Sequence, residues 1–177
     1  MIINNYPSAT YRTPNFKTSP FKNYTNKGIN FSNKSELPKS IPNNFSNISF
    51  KGTGYSTQNM LNEYLHIYAR RGNVLKMLDL MEAGASINAF DSDGNSVLFN
   101  LLNFCIEDKF SNFGKYINII DYLVEESSNI NTSNSQGDTL LTLLCKNYDQ
   151  ENHIPYKVLI EYLAKKSSNI NKANNDG

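Results

Sequence analysis

The sequence predicts an all-α chain: a helical repeat solenoid with short β-turn fingers, preceded by a disordered N-terminal tail. Three observations lead there. First, one phrase is written three times, as Gly84-Ala85-Ser86-Ile87-Asn88, Ser127-Ser128-Asn129-Ile130-Asn131 and Ser167-Ser168-Asn169-Ile170-Asn171, at spacings of 43 and 40 residues. Each copy is followed by Asp91, Asn134 or Asn174, and then by Gly94, Gly137 or Gly177. Recurrence at this spacing marks stacked units, each too small to bury its apolar face alone. Second, the stretches between the phrases carry apolar residues at helical spacing. Third, residues 1–55 lack such a pattern and contain five of the six prolines.

The tail reads as residues 1–55. Asn, Ser, Thr, Lys and Pro dominate it, and Pro7, Pro14, Pro20, Pro38 and Pro42 interrupt any helix. Too little apolar surface is present to offset a backbone ordering cost of ~1–2 kcal/mol per residue. Tyr6, Tyr11, Phe16 and Phe21 recur at fives, a spacing that matches neither helix nor strand. Gly52-Thr53-Gly54 reads as a hinge.

The repeat domain reads as residues 56–177. Ser56 or Thr57 caps a first helix with Met60, Leu61, Tyr64, Leu65 and Tyr68 on one face, stopped by Gly72. Val74, Leu75, Met77, Leu78, Leu80 and Met81 form the second helix, ended by Gly84. Val97, Leu98, Leu101 and Leu102 begin the second unit, and Ile117, Ile120, Leu123 and Val124 complete it. In the third unit Leu140, Leu141, Leu144 and Cys145 form one helix. Pro155 opens the other, where its missing N–H is harmless, with Val158, Leu159, Tyr162 and Leu163 on its inner face. Ile87, Ile130 and Ile170 are expected between units. Long loops are expected at residues 106–115 and 148–155. Asn174-Asn175-Asp176-Gly177 reads as the opening of a fourth unit, so the chain is expected to be part of a longer array, with the outer face of the third unit uncovered.

Within this pattern the chain resembles the ankyrin repeat family. Leu65-His66, then Tyr68-Ala69-Arg70-Arg71-Gly72-Asn73, then Gly84-Ala85-Ser86-Ile87-Asn88 follow the family spacing without a gap. Gly94-Asn95-Ser96-Val97-Leu98-Phe99 and Gly137-Asp138-Thr139-Leu140-Leu141-Thr142 stand where Gly-x-Thr-Pro-Leu-His is expected, and both lack the Pro and the His. Both units exceed the family period of about 33 residues. The resemblance implies a structural hydrogen bond for His66. It also implies a concave face lined by the turns at residues 89–95 and 132–138 and by exposed first-helix positions Arg70, Arg71, Asn100, Asn103 and Lys146. Phe90 and Phe104 join them as candidate anchors, because aromatic residues and Arg are enriched in binding hot spots.

Net charge is +1, divided unevenly. Residues 1–55 carry seven Lys or Arg against Glu36, and the remainder carries ten against fifteen acids. A basic tail on an acidic domain follows. Cys105 and Cys145 fall on the apolar sides of their helices and read as buried free thiols. No apolar run approaches the ~18 residues of a membrane span, and no signal-peptide stretch follows Met1. No catalytic constellation, phosphate loop or metal-ligand spacing is found. Asp149-Gln150-Glu151 with His153 reads as a solvated loop. Asp91-Ser92-Asp93-Gly94-Asn95 lacks the terminal Glu of a calcium loop.

These readings point to a module without cofactor, metal or catalytic activity of its own, monomeric and binding a partner protein through the concave face. A second reading makes the repeats a targeting or regulatory region of a larger enzyme or toxin whose catalytic part lies beyond Gly177. A third assigns nucleic-acid binding to residues 1–55, through aromatics among lysines, with steep salt dependence; the acidic domain argues against that role for the whole chain. The expected location is cytoplasmic. The Asn, Lys, Ile, Phe and Tyr usage fits an A/T-rich genome, and by analogy with ankyrin proteins of such microbes the alternative is delivery into a host cell as an effector.

Overall fold

The computed structural model describes residues 56–127 and 130–177. The expected tail at residues 1–55, and Ser128-Asn129 of the second phrase, lie outside the described residues.

The described chain is all-helical. Six helices follow in order: α1 (Thr57–Ala69), α2 (Val74–Glu82), α3 (Val97–Glu107), α4 (Phe113–Glu126), α5 (Leu140–Lys146) and α6 (His153–Lys166). An isolated antiparallel bridge joins Phe90 to Ser96. Helix α1 packs on α2 and α3, α3 packs on α4 and α5, and α5 packs on α6. The odd-numbered helices therefore form one row, and each even-numbered helix backs its predecessor.

Three helices begin in the same way. The hydroxyl of Ser56 accepts from the Asn59 N–H, that of Ser96 from Phe99, and that of Thr139 from Thr142. Each satisfies one of the free donors of a first turn, an interaction of about 1 kcal/mol. Helices α4 and α6 have no side-chain cap at Asn112 and Asn152. Their placement rests on packing, through Tyr116, Ile119, Ile120 and Leu123 of α4 and Tyr156, Leu159 and Leu163 of α6, all buried.

The core is continuous from Leu61 to Leu163. Helix α3, flanked on both sides, is buried almost all round: Val97, Leu98, Phe99, Leu101, Leu102 and Cys105 are all enclosed. Burial pushes the Cys105 thiol up to about 12, helped by the charge of Asp108. Cys145, expected to be buried, is exposed. The turn of α5 that faces inward carries Leu140, Leu143 and Leu144, so Leu141 is half-buried and Cys145 falls on the outer side. Leu159, Tyr162 and Leu163, expected on the inner face of α6, are buried, and Val158 beside them is half-buried. Ile87 and Ile130 pack against the core as expected, whereas Ile170 is exposed.

The two long loops are shorter than expected. Helices α3, α4 and α6 extend into them, leaving residues 108–112 and 147–152 as connections. The first passes through Lys109 and Phe110 at φ 50° and 52°, a left-handed conformation unfavourable for non-glycine residues. Aromatic packing holds it there. Phe110 is buried and meets the edges of Phe113 and Tyr156 at centroid distances of 5.7 and 5.0 Å. Asn152 donates to the Lys109 carbonyl from the second connection. The two connections thus brace each other.

Behind the row, α4 and α6 meet through a polar contact. The Tyr162 hydroxyl donates to Asp121 Oδ1 at 2.6 Å and to Glu125 Oε1 at 3.0 Å, and Lys166 pairs with Glu125 at 2.6 Å. Asp121 is buried. Leaving such a group short of a partner costs about 1–3 kcal/mol, so Tyr162→Phe is expected to lower the unfolding free energy by that amount. Leu123→Ala, which empties a fully buried site in α4, is expected to cost about 2–5 kcal/mol. Urea unfolding checks both; an unchanged midpoint for Leu123→Ala would remove α4 from the cooperative core.

Candidate interaction surface

Three turns built to one plan line the edge of the helix row. Asp91 N–H donates to the Asn95 carbonyl and Gly94 N–H to the Asp91 carbonyl. Asn134 with Asp138, and Gly137 with Asn134, repeat the pair, and Gly177 to Asn174 begins it again. In each turn the leading side chain closes the loop on itself. Asp91 Oδ1 accepts from Asp93 N and Asn95 N, Asn134 Oδ1 from Gln136 N and Asp138 N, and Asn174 Oδ1 from Asp176 N. An Asx side chain satisfies backbone donors two and four residues on, which is why Asp or Asn opens all three turns.

Neighbouring turns are joined sideways. Ser135 N–H donates to the Asp93 carbonyl at 3.0 Å, and Asn175 N–H to the Gln136 carbonyl at 3.1 Å. Side chains add a parallel rung: Asn134 Nδ2 to Asn95 Oδ1 at 3.1 Å, and Asn174 Nδ2 to Asp138 Oδ1 at 2.8 Å. Glycine is needed at Gly94 and Gly137 for two reasons. Both have positive φ, 74° and 81°. A Cβ at Gly94 would also stand 3.1 Å from Ser135 N, and one at Gly137 2.8 Å from Asn175 N.

Asp91 ties the first turn to the helices. Its Oδ2 accepts from Nη2 of Arg70, the residue that ends α1, at 2.6 Å and from Asn100 Nδ2 of α3 at 2.8 Å. Burial opposes ionisation of this carboxyl, but the hydrogen bonds from Asn100, Arg70 and Asn95 outweigh it and hold the group down to about 2. Asn100 Nδ2 also donates to His66 Nδ1 at 2.9 Å, which places the ring proton of a neutral His66 on Nε2. That nitrogen is buried and without a hydrogen-bond partner among the described residues. The Ala89 carbonyl interacts with the ring electrostatically. Burial is the main influence on the imidazole, and it moves the group below its ordinary value of 6.5.

The candidate side chains divide into two groups. Arg71 is exposed, as is Arg70, whose guanidinium is committed to Asp91. Lys146 reaches both oxygens of buried Asp138, at 3.1 and 3.0 Å, and is half-exposed. Phe90 is 52% exposed and borders a cavity of about 190 Å³ with Ile87, Leu98, Ile130 and Leu140. Asn103 is half-buried on α3.

One expectation fails. Asn100 was expected to be an exposed first-helix position; it is 2% exposed and serves as the link between His66 and Asp91. The signal that could have found it was its spacing of nine residues from Asp91, with an amide able to reach back to the turn that caps its own helix. Phe104, the other candidate anchor, is half-buried: its ring fills the space over Gly72, where a Cβ would collide with it, and meets Tyr116 edge-on at 5.7 Å.

The remaining chemistry-bearing residues stand apart. His153 is exposed and near the Gln150 carbonyl at 3.2 Å. Among the described residues no group of three or more His, Cys, Asp or Glu is placed to hold a metal ion, and no helix is long and apolar enough to cross a membrane. No protein-family model and no curated protein matches the chain.

Both titrating groups of the network destabilise the fold in acid, in separate windows. The unfolded chain protonates its imidazole first, so the contribution of neutral His66 is complete above 6.5 and falls as the pH drops below it. The Asp91 contribution is complete above the ordinary carboxylate range near ~4 and drains away as the pH falls toward 2. Urea midpoints followed from pH 8 to pH 2.5 are expected to show the upper loss reduced in His66→Gln and the lower loss reduced in Asp91→Asn. Parallel curves for wild type and both variants would show that the network does not couple to folding.

Proposed function

We propose that the chain is an ankyrin-type repeat module, without a catalytic step of its own, that binds a partner protein through the face made by its turns and odd-numbered helices. The observation that carries this reading is the row of identically built turns, bonded to one another and to the helices behind them. A surface fixed in this way loses little conformational entropy on binding, which favours affinity. The leading Asp or Asn side chain of each turn is committed to holding the turn, which leaves the exposed ring of Phe90 beside it to face outward. Arg71 and Phe90 fit the part of anchors: one is an exposed guanidinium with no ion pair among the described residues, the other an exposed ring beside an apolar cavity. Arg70 and Lys146 contribute in a different way, since each is half-exposed while its charge is fixed by a buried carboxylate.

The connections at residues 108–112 and 147–152 are the weaker candidate. Tyr148 is exposed there and Ile154 at the start of α6, but the buried part of the cluster, Phe110 with Tyr156, already accounts for the aromatic content as packing. The two surfaces are separable. A protein captured on the immobilised chain is expected to lose at least ~30-fold in affinity for Arg71→Ala plus Phe90→Ala, equivalent to about 2 kcal/mol. It is expected to keep its affinity for Tyr148→Ala plus Ile154→Ala. The reverse outcome would move the site to the connections.

A further inference from the structure

Consecutive units meet beside their turns at two junctions, and the two are finished differently. Counted from the last Asn of each phrase, Phe90 and Thr132 hold the places at the first junction that Ser133 and Lys172 hold at the second. At the second junction the Lys172 ammonium donates to Ser133 Oγ at 2.8 Å and bridges the units. At the first, the corresponding pair borders a cavity of about 190 Å³. Its apolar walls are Ile87 and Ile130 of the two phrases, Phe90, Leu98 of α3 and Leu140 of α5. Among the described residues no charged side chain lines it. Phe90 is exposed, Ile87 and Ile130 are half-buried, and Leu98 and Leu140 are buried, so the cavity runs from the surface toward the core. Protein interiors hold few voids larger than a water molecule, so a gap of this size between two units departs from the packing around it.

We propose that this cavity receives one uncharged apolar side chain of the partner protein, a leucine, isoleucine, methionine or phenylalanine. The inference rests on the partner-binding reading given above and names the chemistry of the anchor that the partner supplies. Size sets its upper limit. An apolar cavity of ~150 Å³ with walls of this kind stays dry and takes a guest as large as benzene. The space beside Phe90 therefore holds one ring or one branched aliphatic group. Charge sets its class. An ammonium or carboxylate placed between these walls would give up its hydration with no opposite charge to replace it. The exposed mouth at Phe90 selects a side chain over a free small molecule, since it leaves room for the main chain to which the side chain is attached.

The comparison between junctions also supplies a way to close the cavity. Thr132→Lys carries into the first junction the residue type that stands at the second, and sets an ammonium at the edge of the apolar walls.

The test follows the methyl resonances of Ile87, Leu98, Ile130 and Leu140 in the whole chain. The probes are capped pentapeptides with leucine, phenylalanine, lysine or glutamate at the centre of four glycines, and toluene. The leucine and phenylalanine peptides are expected to shift these methyls with dissociation constants on the order of 1 mM, and the lysine and glutamate peptides to leave them in place. Thr132→Lys is expected to weaken the leucine peptide at least ~10-fold. Gln136→Lys, an exposed site on the second turn, is expected to leave its affinity unchanged. No shift with the leucine peptide would overturn the proposal, as would equal shifts from the leucine and lysine peptides, a comparison that needs no variant. Toluene bound without the leucine peptide would overturn it by assigning the cavity to a free small molecule. A captured protein that loses affinity on Arg71→Ala plus Phe90→Ala, but keeps it on Thr132→Lys, would uphold the binding face and overturn the cavity as its anchor point.

Discussion

The structure turns on a carboxylate that is worth burying because it is fully used. Asp91 accepts from two amides of its own turn, from Arg70 at the end of α1 and from Asn100 of α3. An ionised group taken from water is costly unless its oxygens find donors, and here each oxygen finds at least two. One side chain thereby fixes the shape of a turn and the relation of two helices. Asn100 carries the link one step further, to His66 inside the α1–α3 contact.

From that knot the ladder extends by smaller interactions. Each lateral rung is a backbone bond with a side-chain amide beside it, individually about 1 kcal/mol. Their joint effect is geometric more than energetic. Apolar burial by leucines and isoleucines supplies most of the stability of the helix row and is non-directional. The rungs set the register in which the helix pairs meet. Close approach of the turns is possible because glycine stands at the contact, at Gly94 and again at Gly137. The exposed side of the turns is then a surface whose backbone has few unsatisfied groups and on which the ring of Phe90 is exposed.

The helices and their ends were largely legible from the sequence, since cap residues and apolar spacing act locally. Ser56 and Ser96 behave as their identity suggests, and Pro155 lies in the first turn of α6. What could not be read was decided between elements. Asn100 looks like a polar surface residue until α1 is placed against α3, and only then does its amide have two acceptors. The packing of Phe104 was likewise set between elements, by the room that Gly72 leaves for its ring. Cys145 and Leu141 were misplaced because α5 has seven residues, too few for periodicity to fix which face is inward. The connections between paired helices were overestimated for a related reason. Lys109 and Phe110 adopt a left-handed conformation that no local preference favours, held by the ring of Tyr156 from another helix pair.

The central claim is that the Asp91–Asn100 bond couples the first turn to α3, beyond what either residue contributes alone. A double-mutant cycle measures that coupling directly, through urea unfolding of wild type, Asp91→Ala, Asn100→Ala and the double variant. The account predicts a coupling free energy of at least ~1 kcal/mol, within the range found for contacting polar groups in one network. Additive effects of the two substitutions would contradict it, and would mean that the turns and helices are held together by packing alone.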